Sequence, residues 1–434
     1  MSNSRLNELL TLPNGQQVPN RIAKAAMTEG LADLRCQPSL ALNRLYTHWS
    51  TSGCGVLLTG NVQIDRQHLE RPGNVVIDRE PDAQMHTALV AWANAAKSGG
   101  SKVWMQISHA GRQTQTLVNP HPKAPSAIKL GLPGKNFGVP IALTEAEILA
   151  LIQGFATAAL AAKNAGFDGV QIHAAHGYLL SSFLNPRANV RTDQWGGSLE
   201  NRARMLLAAV DAVREKTGAE FTVTVKLNSA DFQQGGFSFA ECKQVVKWLE
   251  AHQVDLIEIS GGNYEQAKMM DIDGMEAPDL GELRPSTIAR EAYFADFAAE
   301  LREVVTVPLM VTGGFRSAAA MERAIADDGI SMVGIGRPLC VDQHCIAEML
   351  AGSRPVLGQY EKILNLGPGI FGPHSRFAIF KMLNGFGATY WFYQQFRRIG
   401  EGLPVDIKLG VFTALIKETL AQLAWVRAAK KAPA

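Results

Sequence analysis

The chain alternates between short apolar or β-branched runs and longer segments of helical period. The runs predict strands at Ile22–Met27, Val56–Gly60, Lys102–Ile107, Gly169–His173, Phe221–Leu227, Asp255–Ser260, Pro308–Thr312 and Met332–Ile335. Between them the periodicity predicts helices, among them Asp82–Ser98, Thr144–Ala165, Ser198–Thr217 and Phe239–His252. Thr144 followed by Glu147 has the spacing of a capping box, and Ser198 followed by Asn201 a weaker cap. Ala165–Gly166 and Thr217–Gly218 mark helix ends, where glycine accepts a left-handed backbone. About eight strand–helix units in this order point to an α/β fold, a closed (β/α)8 TIM barrel of parallel strands. An open doubly wound sheet is the alternative on pattern alone. It would normally carry GxGxxG after an early strand, and no such run is present.

Two stretches are too long for simple connections. One runs from Gly111 to Ala142 and is rich in Pro and Gly; the other runs from Gly261 to Pro285 and carries Met269, Met270 and Met275. Both follow strands, so both belong on the C-terminal rim of a barrel, where active sites are built. Beyond Ala351 the strand–helix repeat stops. The chain therefore divides into a barrel over 1–351 and a C-terminal helical extension over 352–434. The extension holds an aromatic stretch, Phe377 to Phe396, and an amphipathic run from Leu409 to Lys431 with a basic end.

Composition narrows the class. The 434 residues are 47% apolar and 19% charged, as in an enzyme with a large core. A net charge of +2 gives no broad attraction to nucleic acid or to anionic membrane. Cys36, Cys54, Cys242, Cys340 and Cys345 are scattered without CxxC pairs, which speaks against structural zinc or an iron–sulfur cluster and fits a reducing compartment. Met1 to Thr11 lacks the charged start and apolar run of a signal peptide, and no uninterrupted apolar stretch of about 18 residues follows. The expectation is a cytoplasmic enzyme.

The densest chemistry lies in His173-Ala-Ala-His176-Gly-Tyr178, directly after the strand Gly169–His173. Paired imidazoles can hold and polarise a carbonyl or phenolate oxygen, and a nearby phenol can deliver a proton. A zinc pair or two structural histidines are the competing readings. Zinc usually takes a third protein ligand, and no carboxylate or cysteine accompanies the pair in sequence, so no metal is expected.

The surrounding sequence carries a resemblance. Ala165-Gly-Phe-Asp-Gly-Val-Gln-Ile-His-Ala-Ala-His-Gly-Tyr-Leu-Leu closely resembles the old yellow enzyme family. So do Phe183-Leu-Asn-Pro-Arg, Asn189-Val-Arg-Thr-Asp193 and Gly196-Gly-Ser-Leu-Glu-Asn-Arg202. Further landmarks are Asn20-Arg-Ile, Ala26-Met-Thr28, Trp104-Met-Gln-Ile-Ser-His-Ala-Gly-Arg112, Val225-Lys226-Leu, Asp231-Phe, Val311-Thr-Gly-Gly-Phe-Arg316 and Val333-Gly-Ile-Gly-Arg337. The resemblance runs in order from about Leu10 to Ile346 and is specific as a set.

That resemblance implies FMN across the barrel mouth, with NADH or NADPH as reductant. Gly313, Gly314, Gly336 and Arg337 follow the last two strands, where bare backbone N–H groups and a guanidinium suit a phosphate. Gln106 matches the amide that bonds the flavin pyrimidine edge, and Lys226 the cation near the reducible end of the ring. Thr28 matches the hydroxyl facing the flavin carbonyl. Gly60 would let backbone approach the ring, and Ala26 and Met27 would pack on its back face. Gly30 replaces an active-site tyrosine of some relatives, so a more open pocket is expected there. His109 and Arg112 are expected to anchor loops, and Trp195, in place of the usual tyrosine of its turn, to be structural.

The implied activity is reduction of an activated C=C bond in an α,β-unsaturated aldehyde, ketone or nitro compound, with His173 and His176 holding the activating oxygen and Tyr178 protonating the carbon. Dienoyl-CoA reductase and amine dehydrogenase relatives, with their iron–sulfur cluster and further flavin domain, are not expected, since only Cys340 and Cys345 follow Arg337. A flavin-binding scaffold without turnover and a non-redox barrel lyase are the alternatives from other classes; a colourless purified protein would favour the lyase. The partner expected is a small enone-type molecule, not nucleic acid. The extension is expected to pack against the barrel or a neighbouring subunit of a homo-oligomer, with a membrane-surface helix as the competing reading.

Overall fold

The computed structural model describes residues 4–132, 134–266, 294–373 and 375–431. Eight strands form the barrel: β1 (Ile22–Lys24), β2 (Val56–Leu58), β3 (Lys102–Ser108), β4 (Gly169–Ala174), β5 (Thr222–Asn228), β6 (Leu256–Ser260), β7 (Leu309–Thr312) and β8 (Met332–Ile335). Each pairs in parallel with its successor, and β8 pairs with β1 to close the cylinder. The expected (β/α)8 barrel is therefore the fold.

Helices α1 (Leu40–Ser50), α2 (Ala83–Lys97), α3 (Glu145–Asn164), α4 (Leu179–Leu184), α5 (Leu199–Thr217), α6 (Phe239–Ala251), α7 (Ala295–Arg302), α8 (Ala318–Ala326) and α9 (Cys345–Leu350) follow the strands. Caps fix several starts. The Thr144 hydroxyl accepts the Glu147 N–H while the Glu147 side chain accepts from Thr144, and Ser198 accepts from Asn201. Ser238 and Glu241 form a second capping box, which opens α6. By length and composition α3 could cross a membrane. Here Ile148, Ile152, Phe155 and Ala159 are instead part of the buried core.

Register carries the site. Gln106 sits beside Gln171 across β3 and β4, His173 beside Lys226 across β4 and β5, and Lys226 beside Glu258 across β5 and β6. Chemistry-bearing side chains from four strands thus share one level of the barrel. Lower down, Val56, Leu58, Trp104, Leu256, Met310 and Met332 form the inner core together with Leu10, Leu12 and Val18. The last three belong to an antiparallel hairpin, Leu10–Thr11 with Gln17–Val18. Trp104 Nε1 donates to Gln16 Oε1 at 2.9 Å, so the buried indole keeps its partner.

Two strands end sooner than the apolar pattern predicts. β1 stops at Lys24 and β2 at Leu58. In the first case Ala25–Thr28 leaves the ladder to line a cavity at the mouth. The expected loop Gly111–Ala142 contains a short parallel pair, Lys123–Ala124 with Ile141–Ala142. Residues 267–293, and with them Met269, Met270, Met275 and most of the second long stretch, lie outside the described residues.

The extension becomes two long helices, α10 (Ala378–Gly400) and α11 (Val411–Ala429). Phe396 meets Trp49 of α1 edge to face at 5.3 Å, and a Cβ added at Gly400 would stand 3.0 Å from Ala41. Trp391 Nε1 donates to Leu409 O at 2.8 Å and ties the two helices together. Glu418 of α11 is fully buried; it accepts from Arg71, from Arg397 at 2.9 Å and from Gln394 at 2.8 Å. Burial alone would raise that carboxyl, but the Arg71 and Arg397 guanidiniums hold it down at about 2. On the opposite face of α11, Phe412, Ile416 and Leu420 are exposed.

Candidate active site

A cavity of about 720 Å³ opens at the C-terminal mouth of the barrel. One wall comes from strand ends and the segments after them: Ala26, Met27, Thr28, Lys226, Gly313 and Gly336. The other comes from the extension, through Lys381, Asn384, Ala388, Phe392, Tyr393 and Phe396. Its volume lies in the range of cofactor sites, roughly 300–1,000 Å³.

One end suits an anion. Gly313 and Gly314 have φ of 113° and 83°, a left-handed region that side chains rarely adopt. A Cβ at Gly313 would find only the Phe294 ring, at 3.9 Å, and one at Gly336 only Met27, at 3.5 Å or more. Bare backbone therefore faces the cavity, with Arg316 and Arg337 beside it. Both guanidiniums pair with Glu361, at 3.7 Å for Arg337. The Thr312 hydroxyl is buried in the same wall without a partner among the described residues. Cys340 also lines the cavity, but burial pushes its thiol up to about 12, which leaves it inert.

His176 lines the cavity away from that cradle, with His173 behind it. His173 Nδ1 accepts the Ala175 N–H at 3.2 Å, which places the ring proton on Nε2. His176 adopts φ of 62°, held there by its N–H to Asn228 Oδ1 at 3.1 Å, and its Nε2 lies 2.7 Å from Ser260 Oγ. The rings are 5.1 Å apart, and Tyr178 meets His173 edge to face at 4.8 Å. Burial, reinforced by the Lys226 charge, holds both imidazoles well below the usual histidine range. At neutral pH each is an uncharged ring with one N–H to give. Lys226 is itself neutralised by Glu258 at 2.9 Å.

Not every residue singled out in the sequence faces the cavity. Ala26, Met27, Thr28, His176, Lys226, Gly313, Gly314, Gly336 and Arg337 line it, whereas Gly60, Gln106, His173 and Tyr178 do not. Gln106 donates to Gln171 at 2.7 Å, and Gln171 donates to Glu258 at 2.8 Å, so a buried polar row leads from Gln106 to Lys226. At Gly60 the close neighbours are the Glu29 carboxylate and the Met27 carbonyl, 2.2 and 2.4 Å from a Cβ built there. The more open pocket expected at Gly30 is not found. The Arg71 guanidinium fills that space, 2.7 Å from a built Cβ, and lies 3.7 Å from the centre of the Tyr393 ring.

His109 and Arg112 anchor loops as expected, Arg112 through Glu265 at 2.9 Å. His109, His68 and Asp65 come within metal-ligand range of one another. However, His68 Nε2 accepts the Lys123 N–H at 2.8 Å and His109 Nδ1 the Gly111 N–H at 3.1 Å. A metal-bound imidazole donates from its second nitrogen rather than accepting there. The trio is therefore a hydrogen-bonded knot around Asp65, whose carboxylate the two rings hold far below its usual range against the effect of burial.

Sequence reasoning missed Glu258, Arg71, Glu70 and Tyr264. Glu258 did leave a signal: a lone carboxylate between Ile257 and Ile259 in a buried strand demands a cation.

Residues 9–352 match the model of the NADH:flavin oxidoreductase / NADH oxidase family. An NADH-dependent flavin oxidoreductase of Hypocrea jecorina is 37% identical over 360 residues, 77% of this chain and 86% of the relative. An NADH oxidase of Thermoanaerobacter brockii is 33% identical over 328 residues, 75% of this chain and 48% of that one. Among solved structures, the old yellow enzyme homologue of Zymomonas mobilis superposes with a TM-score of 0.67 at 23% identity, covering 81% of this chain and 94% of its own. Morphinone reductase gives 0.66 at 24% identity, covering 82% and 92%. These two carry the fold alone; the family model and the sequence relatives carry the chemistry, and by them the chain belongs to the NADH:flavin oxidoreductase / NADH oxidase family, as a flavin-dependent oxidoreductase.

Proposed function

We propose that the protein is an FMN-dependent ene-reductase that reduces the activated C=C bond of α,β-unsaturated aldehydes, ketones or nitro compounds. The residues at the mouth fit FMN on their own chemistry. Gly313, Gly314 and Gly336 offer bare backbone, Arg316 and Arg337 offer charge for a phosphate, and Thr28 and Lys226 lie toward the histidine end. In this reading residues 1–351 form the cofactor barrel, and 352–434 form a helical cover that supplies the far wall. Held by Gly313, Gly314, Gly336 and Arg337, FMN would supply hydride chemistry between NADH or NADPH and the substrate's β-carbon.

The chain's own residues do the rest. His173 and His176, neutral and edge to face, hold the substrate's activating oxygen and favour the negative charge that develops on it. Tyr178, whose phenol burial keeps protonated far above neutral pH, gives its proton to the α-carbon. The observation that carries the reading is the triangle of His173, His176 and Tyr178, which meets the cavity at His176, together with the anion cradle that Gly313, Gly336 and Arg337 give the same cavity. The buried thiols suit a reducing, cytoplasmic setting.

Stopped-flow rates of Tyr178→Phe test it. Oxidation of the reduced enzyme by 2-cyclohexenone should slow by about 10²-fold or more, the usual scale of general-acid catalysis, while reduction by NADH keeps its rate. An oxidation rate unchanged from that of the parent protein would remove Tyr178 from the mechanism.

A further inference from the structure

Reduction of an enone by NADH takes up one proton from solvent in every turnover: the β-carbon gains hydride, the α-carbon gains a proton. Tyr178 is only 5% exposed and Glu70 8%, so a proton passed between them moves among buried groups before solvent replaces it. Two groups on other segments continue from its oxygen. The Tyr264 hydroxyl, just past β6, lies 3.0 Å from Tyr178 Oη, and the Glu70 carboxylate, before α2, lies 3.3 Å from Tyr264 Oη. Among the described residues the second carboxylate oxygen of Glu70 is buried without a well-formed hydrogen bond. A protonated Glu70 can donate from Oε1, the oxygen that faces Tyr264, and the open Oε2 leaves room to take up the replacement proton before the carboxyl turns.

We propose that Tyr264 and Glu70 form a proton relay that points the Tyr178 hydroxyl at the substrate and reloads it after each transfer. The proposal rests on Tyr178 being the proton donor. When Glu70 is protonated it donates to Tyr264, Tyr264 donates to Tyr178, and the Tyr178 proton is left for the substrate. As the Tyr178 O–H bond breaks and the α-carbon–hydrogen bond forms, the Tyr264 proton passes to the Tyr178 oxygen and the Glu70 proton to the Tyr264 oxygen. Glu70 is left as a carboxylate, which takes the solvent proton that the net reaction requires. With Glu70 ionised the row reverses: Tyr264 donates to the carboxylate, and Tyr178 donates to Tyr264 instead of to substrate. Both residues act through Tyr178 and are positioning residues.

The surroundings of Glu70 are compatible with this role. Burial raises its carboxyl above the usual range, Glu29 adds to that, and Arg71, Thr28 and Tyr264 oppose it. Arg71 is already engaged with Glu418, and the rings of Tyr178 and Tyr393 complete the enclosure. With a raised carboxyl pKa, the loaded row prevails below that pKa and is lost as pH rises through it.

The experiment uses the full-length, FMN-loaded protein and its Tyr264→Phe, Glu70→Gln and Tyr178→Phe variants. Single-turnover oxidation by 2-cyclohexenone is followed across pH and in mixtures of H2O and D2O. In the parent protein the rate should fall with rising pH, and its dependence on deuterium fraction should bow because several protons move together. Tyr264→Phe should lower the rate about tenfold and make that dependence linear. Glu70→Gln should abolish the pH limb, and should also remove a protonated-carboxyl stretch from the infrared spectrum of the apoprotein. Reduction by NADH should be unchanged in both, which excludes a merely misfolded variant. If Tyr178→Phe slows oxidation while Tyr264→Phe and Glu70→Gln leave rate, pH limb and isotope dependence untouched, the relay is wrong and the donor stands. If Tyr178→Phe itself has no effect, the donor assignment and the relay fall together.

Discussion

The two walls of the cavity are built by different physics. The barrel wall is made of strand ends: register alone places Lys226, which lines the cavity, beside His173 and Glu258, and the hydrogen-bonded ladder holds them there. The wall from α10 has no ladder to the barrel. Its placement depends on side chains: Phe396 on Trp49, and Arg71 held between the Tyr393 ring and the buried Glu418. One wall can therefore lose a side chain and keep its shape, while the other depends on a few buried groups. Function divides the same way, with the reacting groups on the rigid wall and enclosure on the wall that side chains hold.

That contrast can be broken at its weakest point. Glu418→Ala leaves Arg71 buried without its counter-charge, and should cost about 3–5 kcal/mol, the scale of breaking a buried ion pair. Thermal unfolding should report this, and FMN should be lost more readily on gel filtration because the cover loosens. On the rigid wall, His173→Ala should leave the unfolding temperature within a few degrees. It should still slow enone-dependent oxidation by about 10²–10³-fold, as removal of an oxyanion donor does.

Asp231 offers a pH test of the same wall. Burial pushes its carboxyl up to about 6 from an ordinary 3.8, and Asn228, which holds His176, donates to it at 2.7 Å. Because the folded-state value is raised, its contribution to stability is present below pH 4 and is lost as pH rises through about 6. Chemical denaturation of Asp231→Asn should lack that loss, roughly 2–3 kcal/mol across the interval. The smallest effect is expected at Gly30, where alanine would need φ near its present 65° and would press on the Arg71 guanidinium. Gly30→Ala should destabilise by about 1–2 kcal/mol, seen as a modest fall in unfolding temperature with enone turnover retained.

The same division decided what could be read from the sequence. Eight strands and the helices between them announce themselves through periodicity, caps and glycine ends, and residues at strand ends such as His176 and Gly313 could be placed by position. Lys226 was legible, but its partner Glu258 was passed over, because only the register of β5 and β6 brings them together. Tyr264 and Glu70 lie in segments without periodicity, and nothing local ties either to Tyr178. Gly30 was misread for a related reason: the space it leaves is filled by Arg71 and Tyr393, which are far from it in sequence. The aromatic stretch of the extension could be recognised as a packing surface, but not as the roof of the cavity, since no ladder fixes where a helix at the end of a chain will lie.

The most direct test of the central claim is an anaerobic absorbance titration of the purified protein, first with NADH or NADPH and then with 2-cyclohexenone. The account predicts flavin bands that bleach with the nicotinamide and return in full with the enone. Bands that bleach and stay bleached would contradict the enone-type substrate, and a protein that remains colourless after FMN is supplied would contradict the FMN assignment of the cavity itself.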